Sequence, residues 1–211
     1  MSFNIIIVDY GLGNIFSVQK SFEQTMSNHN IEGSVKVTSN YKELRDASHI
    51  ILPGQGSFEF CIKGLLGLGG AVDELKTQIL INKKPMLGIC VGMQLLANKS
   101  FENGIHSGLG WIDGDIIMLP SEKQILPHMG WNEVRSNVRH KAIKEIINEH
   151  FYFVHSYYFR AKKKETIIAT AKYGINFPAI VAKENILGVQ FHPEKSSTAG
   201  KKLILGFLLN S

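Results

Sequence analysis

Residues 4–8 (Asn-Ile-Ile-Ile-Val) form an apolar run with one polar residue at its start, the pattern of a strand buried on both faces. The run ends at Asp9-Tyr10-Gly11-Leu12-Gly13-Asn14, after which Ile15, Val18 and Phe22 recur at helical spacing. Residues 34–38 predict a second strand and residues 49–52 a third, stopped by Pro53-Gly54-Gln55-Gly56-Ser57-Phe58. The spacing of Val72, Leu75, Ile79 and Leu80 predicts a helix over 71–82 with those four side chains inward. Residues 85–89 are another short apolar run, and 93–97 read as the start of a helix. Strands alternating with helices imply an α/β fold, a mostly parallel central sheet with helices on both faces.

After Ala97 the pattern changes. Residues 100–114 are rich in glycine, and beyond them short strands dominate, at 115–119, 151–154, 166–173, 179–183 and 186–190. These predict an antiparallel extension, with a hairpin link at Lys183-Glu184-Asn185 and a closing helix over 199–209. No internal repeat, low-complexity segment or linker interrupts the chain, so 1–211 is expected to be a single domain.

Composition narrows the class. Hydrophobic residues at 44% beside 19% charged describe a globular chain, and no apolar run approaches the length of a membrane span. The apolar start meets Asp9 too soon for a signal peptide. Two cysteines, Cys61 and Cys90, cannot build a disulfide framework, which implies a reducing, cytoplasmic setting with no membrane contact. The net charge of +5 comes from scattered lysines. Their one cluster, Lys162-Lys163-Lys164, falls in a predicted turn, so a solvated face is implied and no nucleic-acid partner. The loop after the first strand lacks the third glycine of a dinucleotide fingerprint, since Phe16 and Ser17 stand near its place. No cofactor and no metal are expected.

The chemistry centres on Gly88-Ile89-Cys90-Val91-Gly92, a Gly-x-nucleophile-x-Gly pattern between a strand and a helix. A sharp turn there lifts the thiol above the sheet, and the helix N-terminus beneath it favours thiolate. Taken alone, the five residues describe a small buried cysteine between packing glycines equally well. The second motif changes the balance: Gly188-Val189-Gln190-Phe191-His192-Pro193-Glu194-Lys195-Ser196 follows another apolar strand. His192 can take the thiol proton and later protonate a leaving group. Glu194, held by the stiff proline, can fix the ring's tautomer. The oxyanion of a tetrahedral intermediate needs donors, for which the Val91 N–H and the loop Pro53-Gly54-Gln55-Gly56 are the candidates. Cys61 lies in a predicted helical segment with no acid or base signature around it.

These residues resemble the class I (triad-type) glutamine amidotransferases along essentially the whole chain, through GICVGMQLL, GVQFHPEKS and PGQGSF. More narrowly, YGLGN, LPHMGWN (126–132) and YFVHSYY (152–158) resemble the glutaminase subunits of imidazole glycerol phosphate synthases. The resemblance implies hydrolysis of glutamine to glutamate and ammonia. The ammonia passes to a (β/α)8-barrel cyclase subunit that makes imidazole glycerol phosphate and an aminoimidazole carboxamide ribonucleotide in histidine biosynthesis. It implies further that Gln94 and Glu102 hold the amino-acid end of glutamine, and that the backbone around His155, Ser156 and Tyr157 takes its carboxylate. Tyr10, Asn14, His128, Met129, Trp131, Asn132 and Lys195 are implied at or near the partner face.

Gln55 departs from the family pattern, which usually has valine there, but a backbone donor survives that change. Trp111 in GLGWIDGD has no place in the pattern. Both are compatible with a paralogue supplying ammonia to a cyclase-like partner that amidates a surface-glycan sugar. A cysteine peptidase-like hydrolase would account for Cys90 and His192 but gives LPHMGWN no purpose. A silent binding module would have no use for a complete Cys-His-Glu set.

Overall fold

The computed structural model describes residues 2–11, 14–122, 124–136 and 138–210; Leu12 and Gly13 of the first glycine loop lie outside the described residues. In chain order the elements are β1 (Phe3–Val8), α1 (Ile15–Asn28), β2 (Gly33–Thr38), β3 (His49–Leu52), α2 (Phe58–Gly67), α3 (Ala71–Lys76), β4 (Met86–Ile89) and α4 (Val91–Gln94). There follow β5 (Lys99–Ser100), β6 (His106–Ser107), β7 (Gly114–Met118), β8 (His128–Glu133), β9 (His150–His155), β10 (Tyr157–Ala161), β11 (Ile167–Tyr173), β12 (Ile175–Lys183), β13 (Ile186–Val189) and α5 (Ser197–Asn210).

Seven strands make the central sheet, in the order β11-β12-β13-β4-β3-β1-β2. From β13 to β2 every neighbour is parallel, while β11, β12 and β13 pair antiparallel. The sheet is thus mixed, with helices on both sides, as the alternation of strands and helices predicts. All four residues of β3, β4 and β13 are buried, because both faces of those strands are covered. At the edge, β2 is half exposed. Helix α1 packs with α5, and α2 packs with α3 and α4.

The second half divides more finely than its sequence implies. Strands β11 and β12 do extend the main sheet, through the hairpin in which Glu184 takes a φ of 53°. Strands β10, β7, β5 and β6 form a separate four-stranded sheet, however, and among the described residues β8 pairs with β9 in a two-stranded sheet of its own. The sequence pattern does not reveal β8: its residues His-Met-Gly-Trp-Asn-Glu are mostly half-exposed, and the six-residue antiparallel pairing with β9 is what makes them a strand.

Two predicted helices also differ. The 71–82 segment is α-helical only through Lys76 and continues as a wider π-type turn to Ile81. That turn shifts the inward face. Leu75 and Ile79 are buried as expected, Val72 and Leu80 only partly, and Glu74 and Gln78 turn inward, hydrogen-bonded to each other at 2.8 Å. The helix expected at 93–97 is instead the single turn of α4, beginning directly after Cys90. It stops because residues 109–112 cross its end and take the carbonyls of Leu95, Leu96 and Ala97 at 2.8–3.0 Å. Gly108 allows that crossing, since a Cβ there would sit 2.2 Å from Ala97 O. Trp111 belongs to this crossing strand of chain. It is buried, its N–H bonds Leu96 O, and its carbonyl accepts from Lys183 Nζ at 2.9 Å.

Candidate active site

Three neighbouring strands, β3, β4 and β13, end side by side, and each hands the chain to one part of the site. A crevice beyond the carboxyl ends of parallel strands is where open α/β sheets bind ligands. Cys90 follows β4 with φ 55° and ψ −112°, a strained backbone for a residue with a side chain. The turn is possible only because its neighbours are glycines. A Cβ on Gly92 would lie 1.8 Å from Leu52 O, and one on Gly88 would lie 2.7 Å from Gly92 O. Gly54, from the loop after β3, is equally close, with its Cβ position 2.3 Å from Gly92 N. The Pro53–Gly56 loop therefore rests on the elbow. Val91 begins α4, so its N–H has no carbonyl four residues back within the helix to bond.

His192 follows β13 and is buried. Its Nδ1 lies 2.8 Å from Glu194 Oε1. Burial by itself lowers the pKa of the imidazole. The negative charge of Cys90 and the carboxylate of Glu194 outweigh it and raise the value to about 10. The turn that holds this geometry is pinned from both sides. Ser196 Oγ donates to His192 O at 2.6 Å, and His192 N donates to Tyr152 O at 2.9 Å.

Above the thiol lies a cavity of about 360 Å³. Its lining includes Cys90, Val91, Gln94, Glu102, His155, Ser156, Tyr157, His192, Gln55 and Gly56. The structure thus brings to one cavity every residue that sequence reasoning placed on the reacting group or on the substrate, except Gly54 and Glu194, which lie directly behind it. Gln94 is oriented by its own amide, which donates to Tyr157 O and to Gln190 Oε1, both at 3.1 Å. Glu102 accepts the Phe58 N–H at 2.7 Å, at the start of α2.

A chain of hydrogen bonds runs from the cavity into the β8–β9 pair. His155 Nδ1 donates to Tyr157 O at 2.9 Å, which leaves Nε2 to accept from His128 Nδ1 at 2.9 Å. His128 Nε2 then accepts from Asn132 Nδ2 at 3.1 Å. This pattern requires both rings to be neutral. Burial lowers the pKa of His155 to about 3 and of His128 to about 4, in agreement.

The residues expected at a partner face divide. Met129, Trp131 and Lys195 are exposed, and Asn14 and Asn132 are half-buried. Tyr10 and His128 are buried, so what lies near that face is their backbone surroundings rather than an exposed side chain. His128 is stacked between the rings of Phe153 and Tyr173, and the Tyr10 hydroxyl is turned inward to Pro53 O. Sequence reasoning missed Gln190, whose Nε2 lies 3.8 Å from Cys90 Sγ, as well as Pro127 and Val154 in the cavity wall. The signal for Gln190 is a lone polar residue in the apolar run 186–191, on the strand that leads to His192.

A strained cysteine at a strand end, a histidine–carboxylate pair and a half-open cavity lined by both polar and apolar groups define an amide-transfer site on a doubly covered sheet. The chain belongs to the class-I glutamine amidotransferase family, whose model matches residues 6–210. Solved structures share the fold. One glutamine amidotransferase superposes with a TM-score of 0.71 at 19% identity, over 96% of each chain. Another, from Thermotoga maritima, gives 0.63 at 18%, over 99% of this chain and 83% of its own.

Closer relatives narrow the family. The chain is 43% identical over 208 residues to the imidazole glycerol phosphate synthase subunit HisH of Pelagibacter ubique, covering 97% of this chain and 99% of that one. It is 40% identical over 208 residues to the subunit HisH of Rhodospirillum rubrum, covering 97% of both. Subunit HisH 1 of Campylobacter jejuni is 41% identical over 207 residues, covering 97% of this chain and 98% of its own.

Proposed function

We propose that the chain is the glutaminase subunit of an imidazole glycerol phosphate synthase, releasing ammonia from glutamine for a (β/α)8 cyclase subunit in histidine biosynthesis. Relatives carrying that subunit name over nearly their full length support the reading. The observation that carries the chemistry is the single cavity onto which Cys90, His192, Gln94, Glu102 and the 155–157 backbone all open.

In this reading the Cys90 thiolate attacks the side-chain amide carbon of glutamine. The oxyanion that forms is met by the N–H groups of Val91 and Gln55. The His192 imidazolium, held by Glu194, gives its proton to the leaving nitrogen, and ammonia departs from a glutamyl thioester. His192, now neutral, takes a proton from water as the water attacks the thioester. Glutamate leaves and the Cys90–His192 pair is restored. Gln94 and Glu102 grip the α-amino end of glutamine, and the backbone at His155, Ser156 and Tyr157 takes its carboxylate. Met129, Trp131, Asn132, Asn14 and Lys195 face the cyclase. The residues 1–211 act as one domain.

The test is Cys90→Ser in complex with the cyclase subunit. Synthesis from glutamine is abolished, whereas synthesis from added ammonium salt continues at the wild-type rate. Loss of both would mean that the chain does more than deliver ammonia.

A further inference from the structure

Two buried side chains hold the Pro53–Gly56 loop, and the reaction described above uses neither of them. The Tyr10 hydroxyl, just past the end of β1, donates to Pro53 O. Cys61 Sγ, in α2, donates to Gln55 O at 3.3 Å. The two side chains lie against each other, at 4% and 0% exposure. Both remain protonated donors: burial raises the Tyr10 hydroxyl well above its usual pKa and pushes the Cys61 thiol up to about 11.

In a trans peptide the carbonyl and the following N–H point in opposite directions. Fixing Pro53 O and Gln55 O therefore fixes two peptide planes, Pro53–Gly54 and Gln55–Gly56. The plane between them carries the Gln55 N–H and is aimed by its two neighbours. It lies over the elbow, since the Cβ position of Gly54 is 2.3 Å from Gly92 N and 2.7 Å from the Val91 side chain.

We propose that Tyr10 and Cys61 are positioning residues for the glutaminase reaction, clamping the carbonyls on either side of Gln55 so that its N–H meets the oxyanion formed at Cys90. The clamp rests on the reading of Cys90 and Gln55 given above. It also gives Cys61 a purpose that its sequence surroundings do not suggest.

The experiment measures glutamate release by the chain in complex with its cyclase subunit, for Tyr10→Phe, Cys61→Ala, Cys61→Ser and Cys90→Ala. Removal of either clamp donor lowers kcat about tenfold while KM for glutamine stays within about twofold, because the oxyanion exists only after substrate is bound. Cys61→Ser keeps a donor of similar size and turns over near the wild-type rate. A purely structural role would change melting temperature in Cys61→Ser and Cys61→Ala without this split between them. Wild-type kcat in both Tyr10→Phe and Cys61→Ala, or equal losses in Cys61→Ser and Cys61→Ala, overturns the clamp. An inactive Cys90→Ala beside those results confines the failure to the clamp. Activity surviving in Cys90→Ala would instead remove the active-site reading and the clamp with it.

Discussion

Adding one methyl group to Gly92 probes the elbow more sharply than any change to the thiol. A Cβ built on Gly92 meets Leu52 O at 1.8 Å, whereas real Cβ atoms keep at least 3.0 Å, so about 1.2 Å must open between the elbow and the end of β3. The obstructing atom is backbone in a fully buried strand, and no flexible side chain can yield instead. Forced overpacking of this kind costs about 3 kcal/mol. For a chain of this size that lowers the melting temperature by about 6–12 °C. The same displacement moves Cys90 relative to His192 and to the Pro53–Gly56 loop. Misplacement by about 1 Å costs roughly a hundredfold in turnover. The assay compares glutamine-dependent with ammonium-dependent synthesis by the complex, alongside a melting curve of the subunit. Gly67→Ala is the control: it lies at the exposed end of α2 with nothing within 4 Å of its Cβ, and it should be neutral or slightly stabilising. Gly92→Ala with an unchanged melting temperature and wild-type glutamine turnover would refute the steric account of this motif.

Three further outcomes follow from the geometry. The His192 pKa is raised above its ordinary 6.5 to about 10, by Cys90 first and by Glu194 second, so the interactions of the imidazolium with these two groups contribute their full stability below about pH 6.5 and lose it as pH rises through 10. Glu194→Gln should therefore melt about 5 °C below wild type at pH 6, with the gap closing above pH 10; a gap independent of pH would contradict the assignment. A glutamine-like alkylating label at neutral pH should modify Cys90 and spare Cys61, whose thiol is buried and pushed up to about 11, as peptide mapping will read directly. Trp131 is 54% exposed, with an edge contact to Tyr152. Trp131→Ala should weaken cyclase-dependent stimulation of glutaminase by roughly tenfold or more, as expected of an aromatic interface anchor, with its melting curve unchanged. A destabilised Trp131→Ala would place the indole in the fold rather than at the interface.

What could be read from the chain itself are features governed by neighbours in sequence. The apolar runs of β1, β3, β4 and β13 announce strands covered on both faces. Gly88-x-Cys90-x-Gly92 announces an elbow, and His192-Pro193-Glu194 places a carboxylate two residues from an imidazole, close enough to bond without help from the rest of the fold. The cavity residues Gln94, Glu102 and His155 were legible only through family resemblance, because no local pattern links positions so far apart.

Other features were settled by tertiary contact. Whether the helix after Cys90 continues past its first turn depends on residues 109–112, which take the carbonyls of Leu95, Leu96 and Ala97 from outside. That the Tyr10 and His128 side chains turn inward depends on the loop and rings packed over them, which no sequence pattern shows. Register also decided much. Pairing β4 with β3 on one edge and β13 on the other brings Pro53, Cys90 and His192 together across gaps of 37 and 102 residues. The bonds from Tyr10 to Pro53 and from Cys61 to Gln55 require helix α2 to be laid against the end of β1, where a Cβ on Gly64 would meet Tyr10 O at 2.5 Å. The physical reason is range. Periodicity and turn chemistry act over a few residues, while the aim of a hydrogen bond between distant segments exists only once the sheet has set their distance.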